Sequence, residues 1–228
     1  MENSRYNVFN QLHKGVRAML YHLATLIQQT DFGRDEQAIA VLAELEALLL
    51  RLQRLHQLED RFVIPAVQVY HASLAEDFKQ EHLTADAQRA DLSEQVAQWR
   101  IAKDEAGRVK AGMRIFYDFN EMIAFTLYHM NKEEKVLNKV LWSHYPDNAI
   151  MQLESAMLGA VSPCYLLEES RWMLRAINDA EVISWMAGIK NNAPHEIFSA
   201  FMGLAEQELP YHRWRIVQTA LSDGMLIA

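Results

Sequence analysis

The sequence predicts an all-α protein: an up-down-up-down four-helix bundle followed by an appended set of short helices. Three observations predict it. Strong helix formers dominate, and only 8 Gly and 5 Pro interrupt 228 residues. No stretch alternates β-branched residues between tight-turn dipeptides, so no sheet is expected. Four long segments carry apolar residues at alternating spacings of three and four, and short connections join them, which favours antiparallel neighbours. With 50% hydrophobic residues, the chain can bury a sizeable core.

The first helix is expected from about Arg5 to Gln29, with Tyr6, Phe9, His13, Val16, Leu20, Leu23 and Ile27 on one face. Thr30-Asp31-Phe32-Gly33 reads as its stop, Gly33 being suited to a C-cap. The second runs from Asp35 to about Tyr70. Its inward face is Leu42, Leu45, Leu49, Leu52, His56, then Glu59 or Asp60, Val63 and Val67, and Pro65 kinks or ends it. The third runs from about Leu74 to Lys103, with Leu74, Phe78, His82, Ala85, Leu92, Val96 and Trp99 inward. Lys103 to Gly107 reads as a turn. The fourth continues to about Ser143, with Ile115, Phe119, Met122, Thr126, His129, Glu133, Val136 and Val140 inward. After Tyr145-Pro146-Asp147 the pattern shortens to four or five helices, broken at Pro163, Asn178-Asp179, Pro194 and Pro210. The expected organisation is a bundle over residues 1–145 and a helical extension over 146–228, packed on the bundle.

Charge and composition exclude several classes of function. A net charge of −8 with no basic cluster disfavours nucleic acid and anionic membrane surfaces. No run of about 18 apolar residues offers a membrane span. The polar stretch Met1–Phe9 lacks a signal-peptide core, and the lone Cys164 cannot form an internal disulfide; both point to a cytoplasmic protein.

The chemistry is carried by histidines. One lies on the inward stripe of each long helix: His13, His56, His82 and His129. Two are followed by acids about one turn later, His56 by Glu59 and Asp60, and His129 by Glu133 with Glu134 beside it. Counted from the turns at 1.5 Å per residue, the four histidines agree in height to within about 6–9 Å. They can therefore share one layer. Imidazoles and carboxylates buried together in an apolar bundle are costly unless something pairs them. Two metal ions do so, with carboxylates bridging; this donor set suits iron, and by ligand type also manganese or zinc. Taken singly, an inward histidine is more often a core residue than a ligand; four in register with two carboxylates reverse that balance. His22, His71, His144, His195 and His212 read as structural.

These residues resemble the hemerythrin-like (HHE cation-binding) family. His13-Lys14-Gly15-Val16-Arg17 is close to its His-x-x-x-Arg opening, and His56 through Glu59-Asp60 to Pro65 is similar to its second-helix element. Glu81-His82 falls on the third helix, and His129-Met130-Asn131-Lys132-Glu133-Glu134 is similar to its His-Met-x-x-Glu-Glu element. The tail around Arg171-Trp172-Met173-Leu174 and Ala193-Pro194 looks like that of a bacterial subgroup. The resemblance implies metal ligation by His13, His56, Asp60 or Glu59, His82, His129 and Glu133. Helical spacing slightly favours Asp60, whereas heptad phase and the family's Glu-Asp order favour Glu59. It implies two iron ions with oxo or hydroxo and carboxylate bridges. Where oxygen-carrying hemerythrins have a second histidine one turn after that of the third helix, this chain has Asp86. It also lacks the cysteine-bearing amino-terminal segment of related proteins that repair iron centres.

The expected function is binding or sensing of O₂, NO, peroxide or iron at a non-haem di-iron site. The alternatives are a regulatory module that reports metal occupancy to a partner, or a di-iron oxidase or peroxidase. For the enzyme, Tyr117 and Tyr128 are candidate redox residues, though packing is the more ordinary role for an aromatic. The Met-, Trp- and Leu-rich tail reads either as a homodimer surface or as a cover for the bundle.

Overall fold

The structure, a computed structural model, describes residues 5–223. Among these residues all regular structure is helical. The chain falls into two compact units, one of Met1–Phe9 and Met19–Ala160, the other of Asn10–Ala18 and Val161–Ala228. The boundary therefore passes through the first helix, α1 (Asn10–Gln29).

The helix α1 starts at Asn10 rather than near Arg5, because the preceding stretch is tied down by side chains of the first unit. Arg5 binds Asp147 and the carbonyls of Trp142 and Tyr145, while the Trp142 indole donates to the Tyr6 carbonyl at 2.7 Å. The end of α1 uses Thr30 in extended conformation, and Gly33 keeps a negative φ; its N–H donates to Asp31 Oδ1 at 3.0 Å. Gly33 is thus not a left-handed C-cap. The next residue with a structural demand is Phe32, whose ring lies so close to Gly112 that a Cβ there would overlap it. The Trp99 indole closes the same corner by donating to the Phe32 carbonyl at 2.9 Å.

The helix α2 (Asp35–Leu58) opens with Asp35 and Glu36 at its positive end. A single π turn, Glu59–Val63, joins it to α3 (Ile64–Gln68). Then come α4 (Ala72–Ile101) and α5 (Glu105–Lys132), the latter capped by Asp104, which accepts from the Gly107 N–H at 2.7 Å. A second π turn, Glu133–Leu137, leads into α6 (Asn138–His144), and α7 (Asp147–Gly159) follows. The pairs Gln95–Asp118 and His82–His129 lie progressively further from the α4–α5 turn on both helices, so these two run antiparallel. Arg100–Glu46 and Arg89–His56 give the same answer for α4 and α2. One core cluster, with Phe9, Ile64, Phe78, Leu137, Leu141, Ile150 and Met157, lies beyond the His82–His129 pair on the side away from the α4–α5 turn. Since Ile150 and Met157 are buried in it, α7 belongs to this unit.

The second unit contains α8 (Pro163–Ala176), α9 (Asp179–Asn192), α10 (His195–Glu208) and α11 (Tyr211–Asp223). The breaks fall at the expected residues. Pro163 takes the first turn of α8, Asn178 and Glu181 form a capping box for α9, and Pro194 precedes α10. Leu174, Val182, Met186, Ala205 and Val217 form its core, and Arg171 and Arg175 both pair with Glu208. Residues 10–18 of α1 join this unit through Asn10 and Lys14, which bind Glu181. Gly15 permits close approach, since a Cβ there would stand 3.3 Å from Met173. No single helix among the described residues is long and apolar enough to cross a membrane.

Candidate metal centre

Both π turns begin at an acid that follows an inward histidine. Glu59 comes three residues after His56, and Glu133 four residues after His129. In each turn the bond spans five residues, from the Ile64 N–H to the Glu59 carbonyl and from the Asn138 N–H to the Glu133 carbonyl. Such insertions occur mostly as single turns and frequently at functional sites. Pro65, which has no N–H to give, accounts for a widened turn in the first case. In the second there is no proline. The common consequence is that histidine and acid both face inward while the helix resumes one residue out of phase. Beyond Glu133 the buried residues are therefore Leu137 and Leu141, and the expected Val136 and Val140 are only partly buried.

His56, Glu59, His82, His129 and Glu133 are all buried. Donor atoms of His56, Glu59, His82 and His129 lie within 4.8 Å of one another. His56 stacks on His82 with ring centroids 4.4 Å apart, and His129 meets His82 edge-on at 4.9 Å. Glu59 Oε2 is 3.6 Å from His82 Nε2, while Glu133 Oε1 is 3.4 Å from His129 Nε2 and 3.9 Å from His82 Nε2.

The outward nitrogens define what the inward ones present. His82 Nδ1 is 2.8 Å from Asp60 Oδ1, and His129 Nδ1 is 2.8 Å from Glu81 Oε2. An ionised carboxylate only accepts, so each Nδ1 carries a hydrogen and each neutral ring turns the lone pair of Nε2 inward. Those two Nε2 atoms face each other at 3.1 Å. Two lone pairs so placed repel unless a proton or a metal ion lies between them. In the metal-free protein a proton serves. Burial works to lower the His129 pKa, but Glu133, Glu59 and Glu81 outweigh it and raise it to about 9. Burial likewise opposes His82, and Glu133, Glu59 and Asp60 raise it. His56 moves the other way, because burial and the charges of His82 and His129 hold it well below the ordinary value and keep it neutral. Glu81 pairs with Lys132, whose ammonium also lies over the Phe78 ring at 4.7 Å; against burial, Lys132 and His129 keep the Glu81 carboxyl below its usual range.

Glu59 thus points into the cluster, and its neighbour Asp60, on a half-exposed position, reaches His82 from outside. His13 is completely buried, on the part of α1 that belongs to the second unit. Tyr117 and Tyr128 are largely exposed, so neither packs in the core as an ordinary aromatic would. His22, His71, His144, His195 and His212 are all exposed. Two residues beside the cluster escaped the sequence reading. Glu81 was visible only as the neighbour of His82. Arg89 lies seven residues after His82, on the same inward stripe, which was the available signal. It is buried, its Nη1 is 3.3 Å from His56 Nδ1, and it pairs with Asp86.

No family model matches the chain, and comparison with curated proteins and with solved structures finds no match either. The residues themselves fit a metal ion. Donors about 2 Å from a shared ion lie at most about 4 Å apart, so a contraction of about 1 Å suffices. Each of two histidines is already oriented by a carboxylate on its other nitrogen, the arrangement that orients metal-ligating imidazoles.

Proposed function

We propose that this is a hemerythrin-like, non-haem di-iron protein that binds or senses O₂, NO, peroxide or iron. In this reading α1, α2 with α3, α4, and α5 with α6 are the four helices of the bundle. His56, His82, His129 and Glu59 would hold one iron, and Glu133, beside His129 and His82, would supply a carboxylate toward the other. The observation that carries the reading is the pair of Nε2 atoms of His82 and His129, facing each other at 3.1 Å beside the buried carboxylates of Glu59 and Glu133. Iron bound there supplies one-electron chemistry and an open position for a small ligand. The chain's own part is to orient the imidazoles through Asp60 and Glu81, to exclude bulk water, and to neutralise charge through Glu59 and Glu133. Imidazole–carboxylate sites accept manganese and zinc as well.

The test is anaerobic reconstitution of the purified protein with ferrous iron. The expected result is about two irons per chain and, after oxidation, a near-ultraviolet ligand-to-iron absorption that is lost in His82→Ala. Protein that takes up no iron, manganese or zinc contradicts the reading.

A further inference from the structure

Arg89 is an unusual neighbour for a metal-binding imidazole. A guanidinium has only donors, so at 3.3 Å its Nη1 uses the lone pair of His56 Nδ1. In a neutral ring the hydrogen of His56 must then reside on Nε2. A metal ion needs the reverse. If it binds Nε2, the hydrogen moves to Nδ1 and confronts the N–H of Arg89. If it binds Nδ1, it takes the very lone pair that Arg89 holds. In both cases the contact and the metal exclude each other.

The guanidinium has a second partner that does not compete with metal. It already pairs with Asp86, whose side chain is about half exposed at 51%. Arg89 and Asp86 both line an open cleft of about 530 Å³, together with Glu46 and Leu49 of α2 and Ser93 of α4. One side chain therefore reaches from the buried cluster to an open cleft.

Resting on the metal reading above, we infer that Arg89 competes with metal for His56, so that loading the three-histidine position drives the guanidinium off His56 and leaves it on Asp86 alone, at the α2–α4 cleft, which thereby registers whether metal is bound. Arg89 is a positioning residue in this scheme. It touches no reacting atom, but it decides whether the third imidazole is offered to the metal. The position held by His56, His82 and His129 is accordingly the exchangeable one.

Zinc affinity, measured by competition with a chelating indicator, separates this from a supporting role for Arg89. Arg89→Met keeps most of the side-chain volume and removes the competing donors; it is expected to bind zinc about tenfold more tightly than the wild type. Asp86→Asn removes the outward partner and is expected to bind zinc several-fold more weakly. Nitrogen chemical shifts of His56 in the wild type give an independent readout: Nδ1 without hydrogen in the metal-free protein, and Nδ1 protonated or metal-bound in the zinc form. A folded Arg89→Met protein with unchanged or weaker zinc affinity overturns the inference. If that variant does not fold, Asp86→Asn with unchanged affinity overturns it, as does a zinc-loaded wild type in which Nδ1 still accepts from Arg89. Failure of both wild type and Arg89→Met to bind any metal instead overturns the metal reading itself.

Discussion

The three imidazoles of the cluster are the same chemical group finished with opposite charges on their outer nitrogens. His82 and His129 are backed by carboxylates, Asp60 and Glu81. His56 is backed by the guanidinium of Arg89. A carboxylate fixes the hydrogen on Nδ1 and strengthens Nε2 as a donor; a guanidinium does the reverse. The same contrast governs protons in the metal-free protein. His129 is raised to about 9 by its surrounding acids against burial, and His56 is held well below its ordinary value by burial and by its two neighbours. Position on a buried helical face is thus not enough to make a ligand, because the group one shell further out sets which nitrogen is available and to what.

The largest effect is expected on the carboxylate-backed side. Replacing His129 with Ala removes a donor and leaves Glu81, Glu133 and Glu59 without their shared base, so metal affinity is expected to fall by well over the 10–100-fold typical of outer partners. Equilibrium dialysis with zinc or iron checks this, and affinity within tenfold of wild type speaks against the cluster as the binding site. Next in size is Glu81→Gln, which keeps the shape but can no longer hold the His129 hydrogen as strongly; a loss of about 10–100-fold is expected. Asp60→Asn should cost less, since Asp60 is more exposed than Glu81 and has no lysine partner among the pairs described.

Acidity probes the same contrast without mutation. For His129 the folded pKa of about 9 stands above the unfolded value near 6.5, so its proton stabilises the metal-free fold fully below about pH 6.5 and that stability is lost as pH rises to about 9. His56 has its pKa lowered, so it costs stability as pH falls below about 6.5, where the unfolded chain takes up a proton that the folded one resists. The thermal midpoint of metal-free protein should therefore decline from pH 6.5 to 9, while metal affinity, which requires that proton to leave, climbs over the same interval. A midpoint that is flat across this window contradicts the assignment. The smallest expected effect lies at the far end of the helices. Gly112→Ala forces a methyl into the Phe32 ring and should destabilise the fold by about 1–3 kcal/mol in denaturant unfolding. Metal stoichiometry should be unaffected, because the clash is far from the cluster in sequence and packing.

The helices and the inward histidines of the first unit are legible in the sequence because burial repeats every three or four residues, and the breaks between α8, α9, α10 and α11 because Pro and Asn-Asp announce them. What escaped has physical reasons. A π turn inserts one residue without any compositional mark, so Val136 and Val140 were expected where Leu137 and Leu141 are buried. The same local geometry decides between adjacent acids, turning Glu59 inward and leaving Asp60 to reach around to His82. Spacing along an ideal helix slightly favours Asp60 and cannot register that difference. The start of α1 was displaced by tertiary contacts of Arg5 and Tyr6 that no local pattern encodes. The break at Pro146 looked like the edge of a unit, but Ile150 and Met157 of α7 fill the core of the first. Arg89 is not legible as part of the site because a charged residue on an apolar stripe reads as an interruption. It is buried there because Asp86 and His56 satisfy it.

The most direct measurement is anomalous scattering at the iron edge from crystals of the protein grown with iron. The account predicts a peak enclosed by His56, His82, His129 and Glu59, a second beside Glu133, and Arg89 turned away from His56. Well-ordered crystals of iron-treated protein with no peak among these residues, or with iron bound only elsewhere on the chain, contradict it.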